Sequence, residues 1–382
     1  VNTSRQLEVD HRPVRIAYVI DTIESPTAGT ESQLLRLILG LDRARFEPVL
    51  CCLRSSRWLE DEWRGCPVHY AGVRSFKHFS GWLAITRLAA WLKRTGVKVV
   101  QTHFRDATIA GLLAARLAGV SVIVGARRGR PLASGWADKL LFQLLNRIPT
   151  AFVANSDFSR DLAVRVEGLR RDSVFVVPNI LDPSLLTSND SPDARRTALD
   201  RLGLAEGTPV IGIVANLNPW KRHDLLLRAV AILKARGVEV RAACVGGGDS
   251  SSLRGLAAEL GVSGATFFVG RRGDVPSLLP AFSAGVLCSD FESSSNALLE
   301  YLVAGIPVVS TRVGGCAEVV EEGLNGYLVP PDDAQALANS LEKVLAGGID
   351  PARQAESRKA LQGRHGLNSV IDAHLRAYGL EG

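Results

Sequence analysis

Methionine is missing from all 382 residues, position 1 included, and the sequence offers no physical account of that. Cysteine is sparse. The six, at 51, 52, 66, 244, 288 and 316, contain no Cys-x-x-Cys pair, and most stand within apolar runs. That pattern argues for buried thiols and against a zinc site or a disulfide framework. No apolar stretch approaches the roughly eighteen residues needed to cross a bilayer. The first dozen residues are polar rather than a charged-then-apolar export signal, so a cytoplasmic location is expected. A full Gly-x-Gly-x-x-Gly dinucleotide fingerprint is also missing, which disfavours a dehydrogenase. Low-complexity tracts and short-period repeats are absent too.

The composition that remains is that of an ordinary globular protein, 46% hydrophobic and 22% charged. At this length one hydrophobic core does not usually suffice, so two domains are expected. Charge is distributed unevenly. Residues 1–190 carry 26 Lys+Arg against 18 Asp+Glu, whereas residues 191–382 carry 19 against 21. The net charge of +6 therefore belongs to the N-terminal half. Such a bias suits an anionic partner, whether a leaflet surface, a phosphate-bearing lipid or an acidic glycan. Charge alone does not separate these from nucleic acid, and an ordinary solvated surface accounts for it as well.

Apolar runs of four to seven residues, bounded by Gly, Pro, Asn or Asp, alternate with segments of helical period. This is the rhythm of βαβ units and parallel sheets. Strands are predicted at Val14–Ile20, Pro48–Leu53, Val97–Thr102, Ser121–Gly125, Ala151–Ala154 and Val174–Val177. Helices are predicted at Glu31–Leu41, Leu83–Arg94 and Ala107–Ala118. Asn179–Ala205 breaks the rhythm with Asp-Pro and Thr-Ser-Asn-Asp-Ser-Pro and reads as a linker ending in a short charged helix. A second series follows, with strands at Val210–Val214, Val240–Val245, Ala265–Val269, Ala284–Cys288, Pro307–Ser310 and Gly326–Val329. Its helices begin near His223, Ser252, Val275, Asn296 and Glu318. The fold class is α/β, with two facing Rossmann-like domains of parallel sheet and a cleft between them. The expected boundaries are 1–185 for an acceptor-binding domain, 195–350 for a donor-binding domain, and 351–382 for a helical segment packing back on the first domain.

The strongest chemical clue is the spacing of Glu292 and Glu300 around Ser293-Ser-Ser-Asn296, between two apolar runs. The polar stretch opens a helix at Asn296, whose free amides and positive dipole end can receive a phosphate. Glu300 then stands one turn in, where a carboxylate can accept two hydrogen bonds from a ribose diol. Glu292 can meet a second polyhydroxylated group. The pattern suggests a nucleotide-sugar pocket.

Facing parallel sheets aim the C-terminal ends of their strands at one cleft, so other candidates should follow strands. Gly29-Thr30 opens the first helix, and His103 ends the strand at Thr102. An ordinary turn explains the first about as well, and taken alone His103 reads better as a core histidine. Lys221 and Arg222 offer a point charge and a planar fork beside a diphosphate, or else a solvated helix start. Gly246-Gly-Gly permits close backbone approach or simply a turn. Arg271 and Arg272 follow the next strand and can edge a base or phosphate. Asp290-Phe-Glu292 matches a loose acid-x-acid metal motif, but a site supplied with lysine, arginine and a helix terminus has little need of a cation. No metal and no cofactor are expected.

Together these segments resemble glycosyltransferase family 4, retaining enzymes of the GT-B fold. The likeness rests on Glu292-Ser-Ser-Ser-Asn-Ala-Leu-Leu-Glu300, Ala304-Gly-Ile-Pro-Val-Val, Gly314-Gly-x-x-Glu-Val-Val, Val177-Pro-Asn-Ile-Leu-Asp, Ala28-Gly-Thr-Glu and Phe268-Val-Gly-Arg-Arg. It covers nearly the whole chain. The resemblance implies that Glu300 binds the donor ribose and Glu292 contacts the transferred sugar. It also implies that Asn296, Ala297 and Leu298 offer amides to the diphosphate, that Lys221 binds phosphate, and that His103 faces the donor sugar. Gly29 would lie near the acceptor. One departure stands out: the family's Gly-Arg-Leu is here Ala215-Asn216-Leu217, and Asn216 supplies no positive charge. Arg222 or another cation would then compensate.

Retention without a carboxylate nucleophile fits a front-face displacement, in which the departing diphosphate helps deprotonate the acceptor hydroxyl. The acceptor would be a glycan or lipid-linked saccharide, held by the positive half. There Arg127 and Arg128 of the Arg-Arg-Gly-Arg cluster and the stretch Arg74-Ser-Phe-Lys-His-Phe-Ser-Gly-Trp82 follow strands. Peripheral contact with an anionic membrane is expected, and no nucleic acid. A sugar-nucleotide epimerase or sugar-phosphate transferase on the same scaffold, or a non-catalytic nucleotide-sugar binding subunit, are the alternatives.

Overall fold

Residues 12–381, apart from 28, 74, 75, 77, 78, 134 and 188–190, are described by a computed structural model. Arg74, Ser75, Lys77 and His78 of the aromatic-basic stretch thus lie outside the described residues. The apolar runs form two parallel sheets. The first contains β1 (Val14–Ile20), β2 (Phe46–Cys52), β3 (Val68–Tyr70), β4 (Val99–Thr102), β5 (Val122–Arg127), β6 (Ala151–Ala154) and β7 (Val174–Val176), in the order β3-β2-β1-β4-β5-β6-β7. The second contains β8 (Val210–Val214), β9 (Arg241–Val245), β10 (Thr266–Gly270), β11 (Ala284–Leu287), β12 (Val308–Thr311) and β13 (Gly326–Val329), in the order β10-β9-β8-β11-β12-β13. Helices cover both faces of each sheet, so the strands need apolar side chains on both sides; this is why they read as continuous runs rather than alternations. In each sheet the order reverses beside the first strand, at β1/β4 and β8/β11. That switch point is where α/β sheets bind ligands.

Two local expectations change. Strand β3 is an addition to the expected set, because Val-His-Tyr is too short and too little apolar to register as a run. The helix expected from Glu318 is instead a 3-10 turn, Gly314–Glu318. Gly314 has φ +52°, and a Cβ there would stand 1.5 Å from the Glu292 carbonyl oxygen. The turn thus packs directly on the backbone that carries Glu292, and Gly315 N–H donates to that same carbonyl at 3.1 Å.

The chain crosses between the domains twice. The first crossing is packed rather than a free tether: Leu181, Leu185, Leu199 and Leu202 join the core of the second domain. At the second, Leu361 of the helix Pro351–His365 also joins that core, whereas Val370, Ile371, Leu375 and Tyr378 of the helix Leu367–Tyr378 pack with Ile16, Leu34 and Ile38 of the first domain. The crossings are hydrogen-bonded to each other. Leu181 N–H donates to the His365 carbonyl at 3.0 Å, and His365 Nδ1 lies 2.9 Å from the Asn179 carbonyl.

Candidate functional site

A cavity of about 540 Å³ lies between the two sheets, beyond the ends of β1, β8 and β11. On the side of the second domain it meets the start of the helix Asn296–Val303. Ser295 caps this helix, its hydroxyl accepting the Leu298 amide at 3.3 Å. Leu298 is therefore not a free donor, and its side chain is buried in the core. This corrects the expectation that three successive amides face the ligand. Asn296 and Ala297 line the cavity, and their amides have no partner among the described residues.

Glu300 also lines the cavity. Burial pushes its carboxyl up to about 7; the Arg36 guanidinium pulls the other way, and Asp182 adds to the rise. Lys221 and Glu292 form an ion pair, with Ser289 Oγ donating to Glu292 Oε1 at 2.9 Å. Gly246 has to be glycine, since a Cβ would fall 1.9 Å from the Ala215 carbonyl oxygen. Asn216 carries no charge, yet its Oδ1 accepts the Gly247 amide at 3.1 Å and so holds the glycine loop in place. Arg271 lines the same wall without a carboxylate partner among the described residues.

Arg222 differs from expectation. Its guanidinium is held by Asp224 at 2.9 Å, Asp290 at 3.1 Å and Asp332 at 2.6 Å, and it does not line the cavity. Three carboxylates leave it no charge to lend to a phosphate. The acid-x-acid pair is divided accordingly, Asp290 facing Arg222 and Glu292 facing Lys221. Among the described residues no group of three or more His, Cys, Asp or Glu side chains is arranged to hold a metal ion.

On the opposite wall, Gly29 and Thr30 open the helix Gly29–Gly40 and line the cavity together with Gln33, Arg36 and Arg128. Arg127 does not. It points away into an ion pair with Glu167, donates to Asn146 Oδ1 at 2.7 Å and stacks on Phe152. His103 is also displaced from its expected place, being 1% exposed and outside the cavity lining. Its Nε2 lies 3.0 Å from Gln101 Nε2. Burial, reinforced by the Arg128 charge, pushes its imidazole down to about 3.

Apart from Asn296 and Arg128, the residues that join the walls are not among the site candidates read from the sequence. Asn296 Oδ1 accepts from Asn179 Nδ2 at 2.7 Å and Gln33 Nε2 at 3.3 Å. Ser293 Oγ accepts from Asn155 Nδ2 at 3.1 Å and donates to the Arg128 carbonyl at 3.0 Å. Gln33 and Arg36 stand four and seven residues after Gly29, on one helix face, and that period was the available signal. Asn179 belongs to the Val177-Pro-Asn-Ile-Leu-Asp motif, which was its signal, and Asn155 offered none beyond following a strand.

Facing parallel sheets with a phosphate-ready helix terminus, a lysine and a buried carboxylate in the gap define the GT-B class of scaffold. Comparison with known proteins agrees. Residues 28–180 match the model of a glycosyl transferase 4-like domain, and residues 194–361 match that of glycosyl transferases group 1. The chain belongs to glycosyltransferase family 4. It is 32% identical over 241 residues to a D-inositol 3-phosphate glycosyltransferase of Stackebrandtia nassauensis, an alignment covering 60% of this chain and 54% of that protein. With one from Actinosynnema mirum it shares 29% over 367 residues, 89% of this chain and 79% of that protein. The chain thus spans about half of the first relative and about four fifths of the second. Anabaena Alr3699/HepE, solved in complex with UDP and glucose, shares the fold with a TM-score of 0.82 at 22% identity, covering 96% of this chain and 99% of that one.

Proposed function

We propose that this chain is a retaining glycosyltransferase moving a sugar from a UDP or GDP sugar to a hydroxyl of a glycan or lipid-linked saccharide, without a metal, in surface polysaccharide or glycolipid synthesis. The observation that carries this reading is the shared cavity, where the free amides of Asn296 and Ala297, the Glu300 carboxyl and the Lys221–Glu292 pair converge. The helix terminus and Lys221 receive the diphosphate, and Glu300 accepts the ribose hydroxyls. As the glycosidic bond breaks, negative charge grows on the departing diphosphate, where preorganised amides and cations stabilise it. Glu292 fixes Lys221 and borders the sugar. Names among the relatives support the acceptor class: besides the inositol phosphate enzymes they include a lipopolysaccharide core glycosyltransferase of Rhizobium meliloti and a GDP-mannose-dependent phosphatidylinositol monomannoside mannosyltransferase of Mycolicibacterium smegmatis. A thermal-shift screen with UDP, GDP and their sugars tests the reading. One nucleotide should raise Tm, and Glu300→Ala should abolish that rise; no shift with any of them would sink it.

Peripheral membrane contact belongs to the same proposal. No helix among the described residues is long and apolar enough to cross a membrane. The helices Phe79–Arg94, Arg105–Ala118 and Trp136–Leu145 pack over one face of the first sheet. They expose Trp82, Leu83, Leu117, Leu140, Leu144 and Trp136, the last 82% accessible. Residues 79–147 hold 11 Lys+Arg and only 2 Asp+Glu, and both acids bond to Arg105. Exposed tryptophan and leucine among cations suit an anionic leaflet.

A further inference from the structure

Among the described residues five cations line the cavity, and three are paired with a carboxylate: Lys221 with Glu292, Arg36 with Asp182 at 2.7 Å and Arg272 with Asp274 at 2.7 Å. The other two, Arg271 and Arg128, have no carboxylate partner among the described residues. Arg271 shares its wall with the proposed diphosphate site. Arg128 stands on the opposite wall, directly after β5.

The surroundings of Arg128 are polar but neutral. Its Nη2 donates to Asn179 Oδ1 at 2.7 Å, while Nε and Nη1 have no partner among the described residues. Within reach of its charge are His103, His374 and Tyr378. Burial and the guanidinium itself keep both imidazoles uncharged, and Tyr378 is a phenol donating to Gln101 Oε1 at 2.6 Å. The side chain is half-buried at the cavity wall, and its burial pushes the guanidinium down to about 10. A cation withdrawn from water without a counter-ion is costly, and proteins normally supply a carboxylate. Here no carboxylate among the described residues pairs with it, and the guanidinium lines the cavity.

Resting on the donor reading above, we propose that Arg128 binds an oxyanion, phosphate or carboxylate, carried by the acceptor. The acceptor is then an acidic or phosphorylated saccharide rather than a neutral one. The donor diphosphate has its own reception across the cavity, in the Asn296 and Ala297 amides, Lys221 and Arg271. Asn179 orients the fork: it accepts from Arg128 and donates to Asn296 Oδ1 at 2.7 Å, tying the anion site to the helix that holds the donor. The two remaining edges of a planar guanidinium can meet an oxyanion bidentately, which a lysine cannot imitate.

The test uses the intact protein saturated with whichever of UDP or GDP raises its Tm, with inorganic phosphate and glucose 6-phosphate as probes and glucose as the neutral control. Wild type should bind both phosphates and ignore glucose. Arg128→Gln should weaken phosphate binding at least about tenfold while nucleotide affinity stays within about twofold, and Arg128→Lys should fall between, consistent with loss of one charge-assisted pair. A matching drop in nucleotide affinity would assign Arg128 to the donor diphosphate instead and overturn the proposal. Phosphate binding equal in wild type and both variants, or absent from nucleotide-saturated wild type, would overturn it too. If neither nucleotide binds wild type, the donor reading itself fails and this inference falls with it. Should Arg128→Gln not fold, the charge-conserving Arg128→Lys decides alone.

Discussion

The Glu318 carboxylate, carried by the second domain, accepts the backbone N–H groups of Asp157 and Phe158 in the first, at 3.0 and 2.7 Å. The helix Asp157–Glu167 already has its own cap in Ser156, whose hydroxyl takes the Ser159 amide at 3.1 Å. Glu318 therefore satisfies the remaining orphan amides from across the cleft and sits at the positive end of the helix dipole. Glu318→Ala should weaken this closure by about 1–2 kcal/mol. Small-angle scattering should then show a larger radius of gyration for the variant, with nucleotide affinity unchanged; an identical scattering profile would refute the latch.

Glu300 makes stability depend on pH. Its carboxyl titrates at about 7 in the fold, against roughly 4.3 in an unfolded chain. Between those values the native state holds the proton that the unfolded state has released, so its stabilising contribution is complete below the lower value and is lost as pH rises through 7. Glu300→Gln should flatten that slope and melt higher than wild type at pH 8. Parallel melting curves of the two proteins from pH 5 to 8 would count against it.

Nucleotide affinity should move in the opposite direction. The ionised carboxylate is the better acceptor for ribose hydroxyls, so wild-type affinity should rise between pH 6 and 8. Calorimetric titration at both ends checks this, and a flat profile would remove Glu300 from ribose recognition.

The Lys221–Glu292 pair separates binding from turnover. Glu292→Gln should lower transfer about a hundredfold with little effect on nucleotide affinity, whereas Lys221→Ala should lower both. Steady-state kinetics together with nucleotide titration make the comparison. Wild-type turnover in Glu292→Gln would exclude a role for that carboxylate in transfer.

The basic, tryptophan-bearing helix layer should bring the protein to phosphatidylglycerol vesicles at low salt and release it at high salt. Replacing Trp136, Leu140 and Leu144 together by serine should abolish flotation without changing donor binding. A wild-type protein that stays in the dense fraction would argue against membrane contact.

What could be read from the linear chain was local. β1, β6, β8 and β13 have the bounds that their apolar runs suggest, and the helix beginning at Asn296 follows from its polar opening. Glu300 and Lys221 could be placed at the cavity for the same reason, from helix period and position after a strand. The misplaced residues share a different feature. Arg127 finds Glu167 40 positions away, and Arg222 finds Asp290 and Asp332 at separations of 68 and 110. A cation after a strand can turn toward the cleft or toward a carboxylate, and spacing holds no record of which partner is nearer. His103 was misplaced likewise, because its burial depends on helix Leu367–Tyr378 folding back from the far end of the chain.

Hydrophobic period and turn chemistry are properties of neighbouring residues, so the two parallel sheets, the cleft between them and the phosphate-ready helix were already implicit in the order of the amino acids. Which charges face that cleft is a property of the packed chain. Electrostatic pairing acts through space, and what a guanidinium can bind is set by the carboxylates that folding brings to it. That is how Arg222 is taken out of the site and Arg128 is left at the cavity with no carboxylate partner among the described residues.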